Sequence, residues 1–225
     1  MIKDPRSRAL VDNFAGQWLQ FRQMQNVNPD GKLFPGFDES LRAAMMKETY
    51  LFLNAIMQED SSVRAFLDAD FTFIHERLAK HYGVEGITGE EFQRVKLSKD
   101  QRGGLLGQAS ILTITSYPAR TSPVQRGKWV LENLLAAAPP PPPPNIPPLG
   151  ENGQAELKGT LRPRMDQHRT DPMRAACHAK MYAIGFGLEN HGARGRRRAR
   201  PAHGPVPGVA GRRGAGVPHG PAIGR

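Results

Sequence analysis

Thiol groups are nearly absent from this sequence, which contains one cysteine, Cys177, among 225 residues. A single thiol excludes an internal disulfide framework and a zinc site built from several thiolates. Long apolar segments are also absent, because no stretch approaches the roughly 20 apolar residues of a membrane-spanning helix. The opening residues lack the apolar core and small-residue cleavage site of a secretory signal. The sequence by itself therefore predicts a chain with neither a transmembrane segment nor a signal peptide.

Acidic residues are missing from the end of the chain, where residues 191–225 contain eight arginines and no Lys, Asp or Glu. The formal net charge of +10 comes mainly from this segment, because the rest of the chain carries 23 basic and 21 acidic side chains. Its Gly, Pro, Ala and Arg composition predicts a structureless tail from Gly192 onward. The tail has no Tyr, Phe or Trp to stack on bases, so we predict no specific nucleic-acid partner.

Apolar residues at helical spacing predict three helices within residues 1–83. The first covers roughly residues 6–24. The second begins at Asp38, a good N-cap, and ends near Glu59. A short helical turn at about residues 61–67 leads to the third, which ends at the Gly83 cap. The apolar positions are Leu10, Phe14, Trp18 and Phe21 in the first helix, Leu41, Met45, Phe52 and Ile56 in the second, and Phe71, Ile74, Leu78 and Tyr82 in the third.

Residues 84–138 are predicted to form a Gly-rich helical domain. Ser98 is a candidate N-cap for a helix running through Leu105, Leu106 and Ile111, although three glycines weaken that helix by about 1 kcal/mol each relative to Ala. So many glycines indicate close backbone packing. The pair Ser122-Pro123 places an N-cap directly before a favoured first-turn proline and predicts a helix to about Ala136.

An unbroken run of six prolines, Pro139–Pro144, marks the clearest domain boundary. Residues 139–150 are therefore interpreted as a polyproline linker. Docking of this rod on the aromatic groove of a partner is an alternative, but a spacer explains it more simply. The linker separates the two helical domains from a truncated domain at 151–190 and the tail at 191–225. The fold class is all-α, mainly helical with an irregular C-terminal third.

Five sequence blocks follow one another in a specific order and spacing: Asp38–Thr49, Leu67–Ala79, Thr115–Val124, Arg126–Leu135 and Asp171–Asn190. Together they resemble large planctomycete and verrucomicrobial proteins that combine cytochrome-c-like modules with domains of unknown function, the 1592, 1588 and 1585 types. The resemblance covers most of residues 10–190 and places the chain in the C-terminal part of such a protein. It implies an exported protein, periplasmic or at the cell surface, that takes part in electron transfer.

The last block also implies a cofactor, because the family pattern there is Cys-x-x-Cys-His, the attachment motif of haem c. Cys177 and His178 match its second half, with His178 as the iron ligand. Arg174 occupies the position of the first cysteine, so at most one thioether can form. The alternative is a non-catalytic structural or interaction module that has lost haem. No reaction is assigned, although a haem with an open iron position supports peroxidase-like chemistry.

Several other residues are interpreted as structural and without a role in binding or catalysis. Met181 lies only three residues after His178, too close to ligate the opposite haem face, and is predicted to be core. His75, His81 and His168 share no metal-ligand spacing and are predicted to be solvated. The glutamates Glu48, Glu76 and Glu132 are assigned to helix solubility. The sequence after Asn190 departs from the family pattern, and we interpret that departure as a change of reading frame.

Overall fold

The computed structural model describes residues 2–97, 103–140 and 172–196, with only the backbone described for 172–179. The protein is mainly helical, as predicted, and the described residues add one two-stranded antiparallel sheet. Most of the polyproline linker, the helical composition at Ala155–His168 and the tail beyond Arg196 lie outside the described residues. No helix in the described ranges is both long and apolar enough to cross a membrane.

The predicted single helix at residues 6–24 is wrong. The segment consists of a 3-10 turn at Pro5–Ser7, a π-helical stretch at Leu10–Ala15, the short helix α1 at Gly16–Trp18 and a 3-10 helix at Phe21–Asn26. Gln20 breaks it with a left-handed φ of 57°. The predicted stripe is wrong at Leu10, Phe14 and Trp18, which are exposed. Phe21 is buried as predicted, and the other buried side chains of the segment are Val11, Ala15, Leu19 and Met24.

Helix α2, at Glu39–Gln58, confirms the second predicted helix at both ends. The Asp38 carboxylate accepts a hydrogen bond from the Leu41 amide at 2.7 Å, which satisfies one of the free amides of the first turn. Its predicted apolar face is buried throughout. A short helix α3, at Ala65–Asp68, follows near the predicted turn of helix.

The third predicted helix is wrong in its first half, where strand β1 occupies Phe71–Ile74. Two positions of β1, Thr72 and Ile74, are buried and alternate with half-buried phenylalanines, which is the period of a strand. Strand β2, at Gln93–Lys96, pairs with it in antiparallel register from Phe71 opposite Lys96 to Ile74 opposite Gln93. Helix α4 covers only Glu76–Tyr82 and ends at Gly83, whose φ of 73° confirms the predicted cap.

The Gly-rich segment forms a 3-10 turn at Leu105–Gly107 followed by helix α5 at Ala109–Ile114, so the helix starts later than predicted. The predicted close packing is confirmed at Gly104, where a Cβ would stand 2.4 Å from the carbonyl oxygen of Phe66. Helix α6 covers Pro123–Asn133, and the Ser122 hydroxyl accepts from the Gln125 amide at 3.2 Å, as expected of its N-cap.

The two predicted helical domains share one hydrophobic core. Phe52 and Ile56 of α2 lie in the same buried cluster as Ile111 of α5 and Trp129 of α6. The Trp129 indole also donates to the Leu19 carbonyl oxygen at 3.1 Å, which ties α6 to the N-terminal segment. The domain boundaries themselves stay predictions, but the residues on either side of Gly83 form a continuous structure.

Candidate functional site

The residues that resemble a haem-attachment motif lie on one helix, α7, at Pro172–Gly187. Arg174, Cys177 and His178 occupy its amino-terminal half. Cys177 is one helical turn before Met181, and His178 is one turn before Tyr182. Both Met181 and Tyr182 are buried, at 5% and 0% exposure, so the prediction that Met181 is a core residue is confirmed.

Helix α7 contacts α6 backbone to backbone. A Cβ placed on Gly127 of α6 would stand 1.9 Å from the Met181 carbonyl oxygen, and one placed on Gly185 of α7 would stand 1.8 Å from the Pro123 carbonyl oxygen. Only glycine lacks the Cβ that would force the two helices apart at these points. The close approach of α7 to α6, which begins at Met181, one helical turn after Cys177, therefore requires glycine at both positions.

A buried arginine holds the carboxyl-terminal end of α7. Arg126, 1% exposed, donates from Nη1 to the carbonyl oxygens of Leu188 at 2.8 Å and His191 at 2.9 Å, and from Nη2 to that of Gly192 at 3.0 Å. The carboxylate of Glu189 balances the buried charge at 2.9 Å. Leu188 directly follows the helix, and His191 and Gly192 lie in the segment after it, so this arginine satisfies carbonyl groups that would otherwise be costly to bury.

The residues that follow α7 are an integral part of the fold, so the prediction of a structureless chain from Gly192 is wrong for residues 192–196. Arg194 is 3% exposed and donates to the Pro118 carbonyl oxygen at 2.8 Å. Its guanidinium lies 4.7 Å from the centre of the Phe34 ring. Burial lowers the pKa of Arg194 to about 10, and the side chain stays charged at neutral pH. Gly195 approaches Ala109 so closely that a Cβ would stand 2.6 Å from its Cα.

The interpretation of Glu48 as a solubilising residue is wrong. Its side chain is 1% exposed and accepts hydrogen bonds from the hydroxyls of Thr72, at 2.6 Å, and Tyr82. The Tyr82 oxygen in turn accepts from the Ala109 amide at 2.9 Å. This polar cluster joins α2, β1, α4 and α5 inside the core. Glu76 and Glu132, by contrast, pair with lysines one turn away on their own helices, as predicted of surface residues.

The described histidines are half-buried, which corrects their interpretation as solvated. The His75 ring stacks on Phe92 with the ring centres 4.4 Å apart, and His81 Nε2 lies 2.6 Å from the Arg194 carbonyl oxygen. His168 lies outside the described residues. No group of three or more His, Cys, Asp or Glu residues in a metal-binding arrangement occurs within the part of the chain that the structure describes.

Two family models match the chain. Residues 1–84 match PSD4, a protein of unknown function (DUF1592), and residues 102–201 match PSCyt3, a protein of unknown function (DUF1588). Both are domains of cytochrome-c-associated planctomycete proteins. These two matches confirm the resemblance of the chain to that family. No curated protein and no solved structure matches it in the corresponding searches.

The PSCyt3 match includes the whole of α7 and continues past Asn190 to residue 201. Together with the packing of Arg194, this argues against a change of reading frame at Asn190.

The donor set in α7 fits a haem that is attached by a single thioether. Cys177 offers one thiol for a thioether and His178 offers one imidazole for the iron, while Arg174 replaces the second thiol. The close contact of α7 with α6 is at Met181 and Gly185, after that pair on the same helix.

Proposed function

We propose that this chain is a helical scaffold module of an exported, cytochrome-c-associated electron-transfer protein, and that Cys177 and His178 form a single-thioether haem-attachment segment. The observation that supports this proposal best is the glycine-mediated contact of α7 with α6, since it anchors the helix that carries Cys177 and His178 to the core. The resemblance to the family adds the cytochrome context and the location, periplasmic or at the cell surface.

The proposal assigns a role to each part of the site. Cys177 would hold the haem c through its sulfur, and His178 would ligate its iron. When bound, the haem supplies one-electron transfer. Gly127 and Gly185 fix the depth of α7 against α6, and Arg126 with Glu189 holds its end. These four residues are positioning residues, because they affect the haem only through the position of Cys177 and His178.

Coexpression with a cytochrome c maturation system tests the proposal. Residues 1–225 are produced behind an export signal, and covalent haem is detected by staining after denaturing electrophoresis. We expect a stained band at the size of the chain that disappears in Cys177→Ala. Arg174→Cys restores the two-cysteine motif and is the matched positive control, which should stain at least as strongly. A folded, unstained wild-type chain beside a stained Arg174→Cys variant would refute haem attachment here.

A second candidate function is a non-catalytic structural or interaction module that has lost haem. Arg174 favours it, because a lost cysteine removes one of the two covalent anchors. The same experiment separates the candidates, since this alternative predicts that only the Arg174→Cys variant carries haem.

A further inference from the structure

A cleft of about 580 Å³ opens on the side of the molecule formed by α2, the start of α4 and the loop before β2. Its wall on α2 consists of Ser40, Ala43, Ala44 and Lys47, spaced three and four residues apart along one stripe of the helix. Three of these side chains are small, so the stripe leaves space beside the helix backbone. The size of the cleft is within the range of small-molecule sites.

Two stacked aromatic rings also line the cleft. The rings of His75 and Phe92 stack with their centres 4.4 Å apart and their planes 12° from parallel. Burial, followed by the nearby charge of Lys47, lowers the pKa of His75, so the imidazole is neutral at pH 7. The loop is held in place because the Gly89 amide donates to the Glu76 carboxylate at 2.8 Å. The stacked rings are therefore uncharged, and the loop that precedes Phe92 is held in place.

Two opposite charges in the cleft have no ion-pair partner among the described residues. Arg77 pairs with Asp38 at 2.8 Å, and Lys80 pairs with Glu76. No such pair includes Lys47 or Glu90, and both line the cleft. The Lys47 ammonium lies 4.9 Å from the centre of the Phe92 ring, which places a positive charge beside the stacked rings.

We propose that this cleft binds a small zwitterion of the aromatic amino-acid class. Lys47 binds its carboxylate, Glu90 binds its ammonium group, and the edges of the stacked His75 and Phe92 rings contact its ring. The edges are the available surface because the His75 ring and the Lys47 ammonium already lie over Phe92. Hydrogen bonds between ionised groups are about twice as strong as neutral ones, and an aromatic contact adds to them. A zwitterion satisfies both unpaired charges at once, whereas a simple anion or cation leaves one of them without a partner.

An NMR titration of the full chain with L-phenylalanine tests this inference. We expect shifts of the amide signals of Lys47 and Glu90 and of the loop around Gly89. Two analogues report the charges separately: 3-phenylpropionate lacks the ammonium group, and 2-phenylethylamine lacks the carboxylate. Each analogue should bind about tenfold more weakly than phenylalanine, which corresponds to one lost charge-assisted contact.

Matched variants assign the two charges. Lys47→Gln and Glu90→Gln should each weaken phenylalanine binding about tenfold. Lys180→Gln and Glu85→Gln change exposed residues away from the cleft and should leave binding unchanged. Absence of shifts in the cleft, or equal binding by wild type and both cleft variants, would overturn the proposal. None of these readouts involves haem, so the result is independent of the function proposed above.

Discussion

Arg126 forms the largest set of polar contacts between α6 and the end of α7. Replacement by methionine keeps the length of the side chain but leaves Glu189 and several carbonyl groups buried without their donor. Breaking a buried ion pair in this way costs about 3–5 kcal/mol. We expect Arg126→Met to lower the free energy of unfolding by that amount in urea denaturation.

The control for this variant is Arg6→Met, because Arg6 also pairs with a carboxylate but its side chain is 91% exposed. Its urea midpoint should stay at the wild-type value, since exposed ion pairs contribute little. Equal midpoints for both variants would mean that the Arg126 contacts do not stabilise the fold.

Tyr82 links a buried carboxylate to the start of α5. In Tyr82→Phe, Glu48 loses a hydroxyl donor and the Ala109 amide loses its acceptor, so we expect the free energy of unfolding to fall by about 1–3 kcal/mol. Thermal denaturation measures the loss. Tyr117→Phe removes the hydroxyl of a 42%-exposed tyrosine and should be neutral. A Tyr82 variant as stable as the Tyr117 variant would contradict the hydrogen-bond account.

His75 makes stability depend on pH in a defined direction. Its pKa in the folded protein lies below the unfolded value of about 6.5, so the unfolded chain takes up the proton first. Stability contributed by His75 is complete above pH 6.5 and is lost as the pH falls toward its folded pKa. We expect the urea midpoint of His75→Gln to fall less than that of wild type between about pH 7.5 and 5.5. Parallel pH profiles would show that His75 is not desolvated.

The hydrogen-bond partners of Glu48 are what the sequence could not supply. The residue stands on a helix among Lys and Glu, and its two hydroxyl partners come from β1 and α4, more than 20 residues away. Helical periodicity does place position 48 beside Leu41, Met45 and Phe52 on the buried face. That spacing was the available signal for a buried carboxylate.

At the scale of elements, the contact between α6 and α7 depends on glycine. Alanine is the better helix former, so Gly127→Ala would stabilise an isolated helix by about 1 kcal/mol. Here its Cβ would meet the Met181 backbone, and we expect a net loss of about 1–3 kcal/mol in urea denaturation. Gly187→Ala is the control, because no atom lies within 4 Å of its Cβ position. A stabilised Gly127 variant would contradict the close contact.

Two elements show where periodicity in the sequence fails. Residues 10–19 offer two apolar stripes, Leu10–Phe14–Trp18 and Val11–Ala15–Leu19, and helical spacing alone cannot choose between them. The core selects the second, while Phe14 and Trp18 stack on each other with their ring centres 5.7 Å apart and Phe14 stays 59% exposed. In β1, the spacing of Phe71 and Ile74 indicates one face of a helix, but the two side chains lie on opposite faces of the strand that forms by pairing with β2. Helix α2 could be predicted because its Asp38 N-cap and its apolar stripe indicate a helix over the same residues.

At the scale of the whole molecule, residues 191–196 complete the fold. Removing everything after Asn190 deletes buried Arg194 and two carbonyl acceptors of Arg126. We expect residues 1–190 to be less stable than residues 1–196 by about 2 kcal/mol or more, a fall of about 4–8 °C in Tm. Residues 1–196 should match the full chain. Equal Tm values for all three chains would show that this segment does not contribute to stability.

Most of the helical character of the molecule could be predicted from apolar periodicity and helix caps. The packing of the residues before Gly83 against those after it, in one hydrophobic core, could not. The core contacts between Phe52, Ile111 and Trp129 join residues far apart in the chain, and a single sequence carries no signal for such pairs. The resemblance located the Cys177–His178 pair. Helix α6 was predicted from its Ser122-Pro123 start, but its close packing against α7 became visible only in the structure.

The central claim is that α7 attaches haem through one thioether at Cys177. A pyridine haemochrome spectrum of the chain, purified after coexpression with the cytochrome c maturation system, tests it most directly. The position of the α band reports how many vinyl groups have been converted to thioethers. The account predicts a band between those of unattached haem and doubly attached haem, and its loss in Cys177→Ala. A folded wild-type chain without a haemochrome band, or an unchanged band in Cys177→Ala, would contradict it.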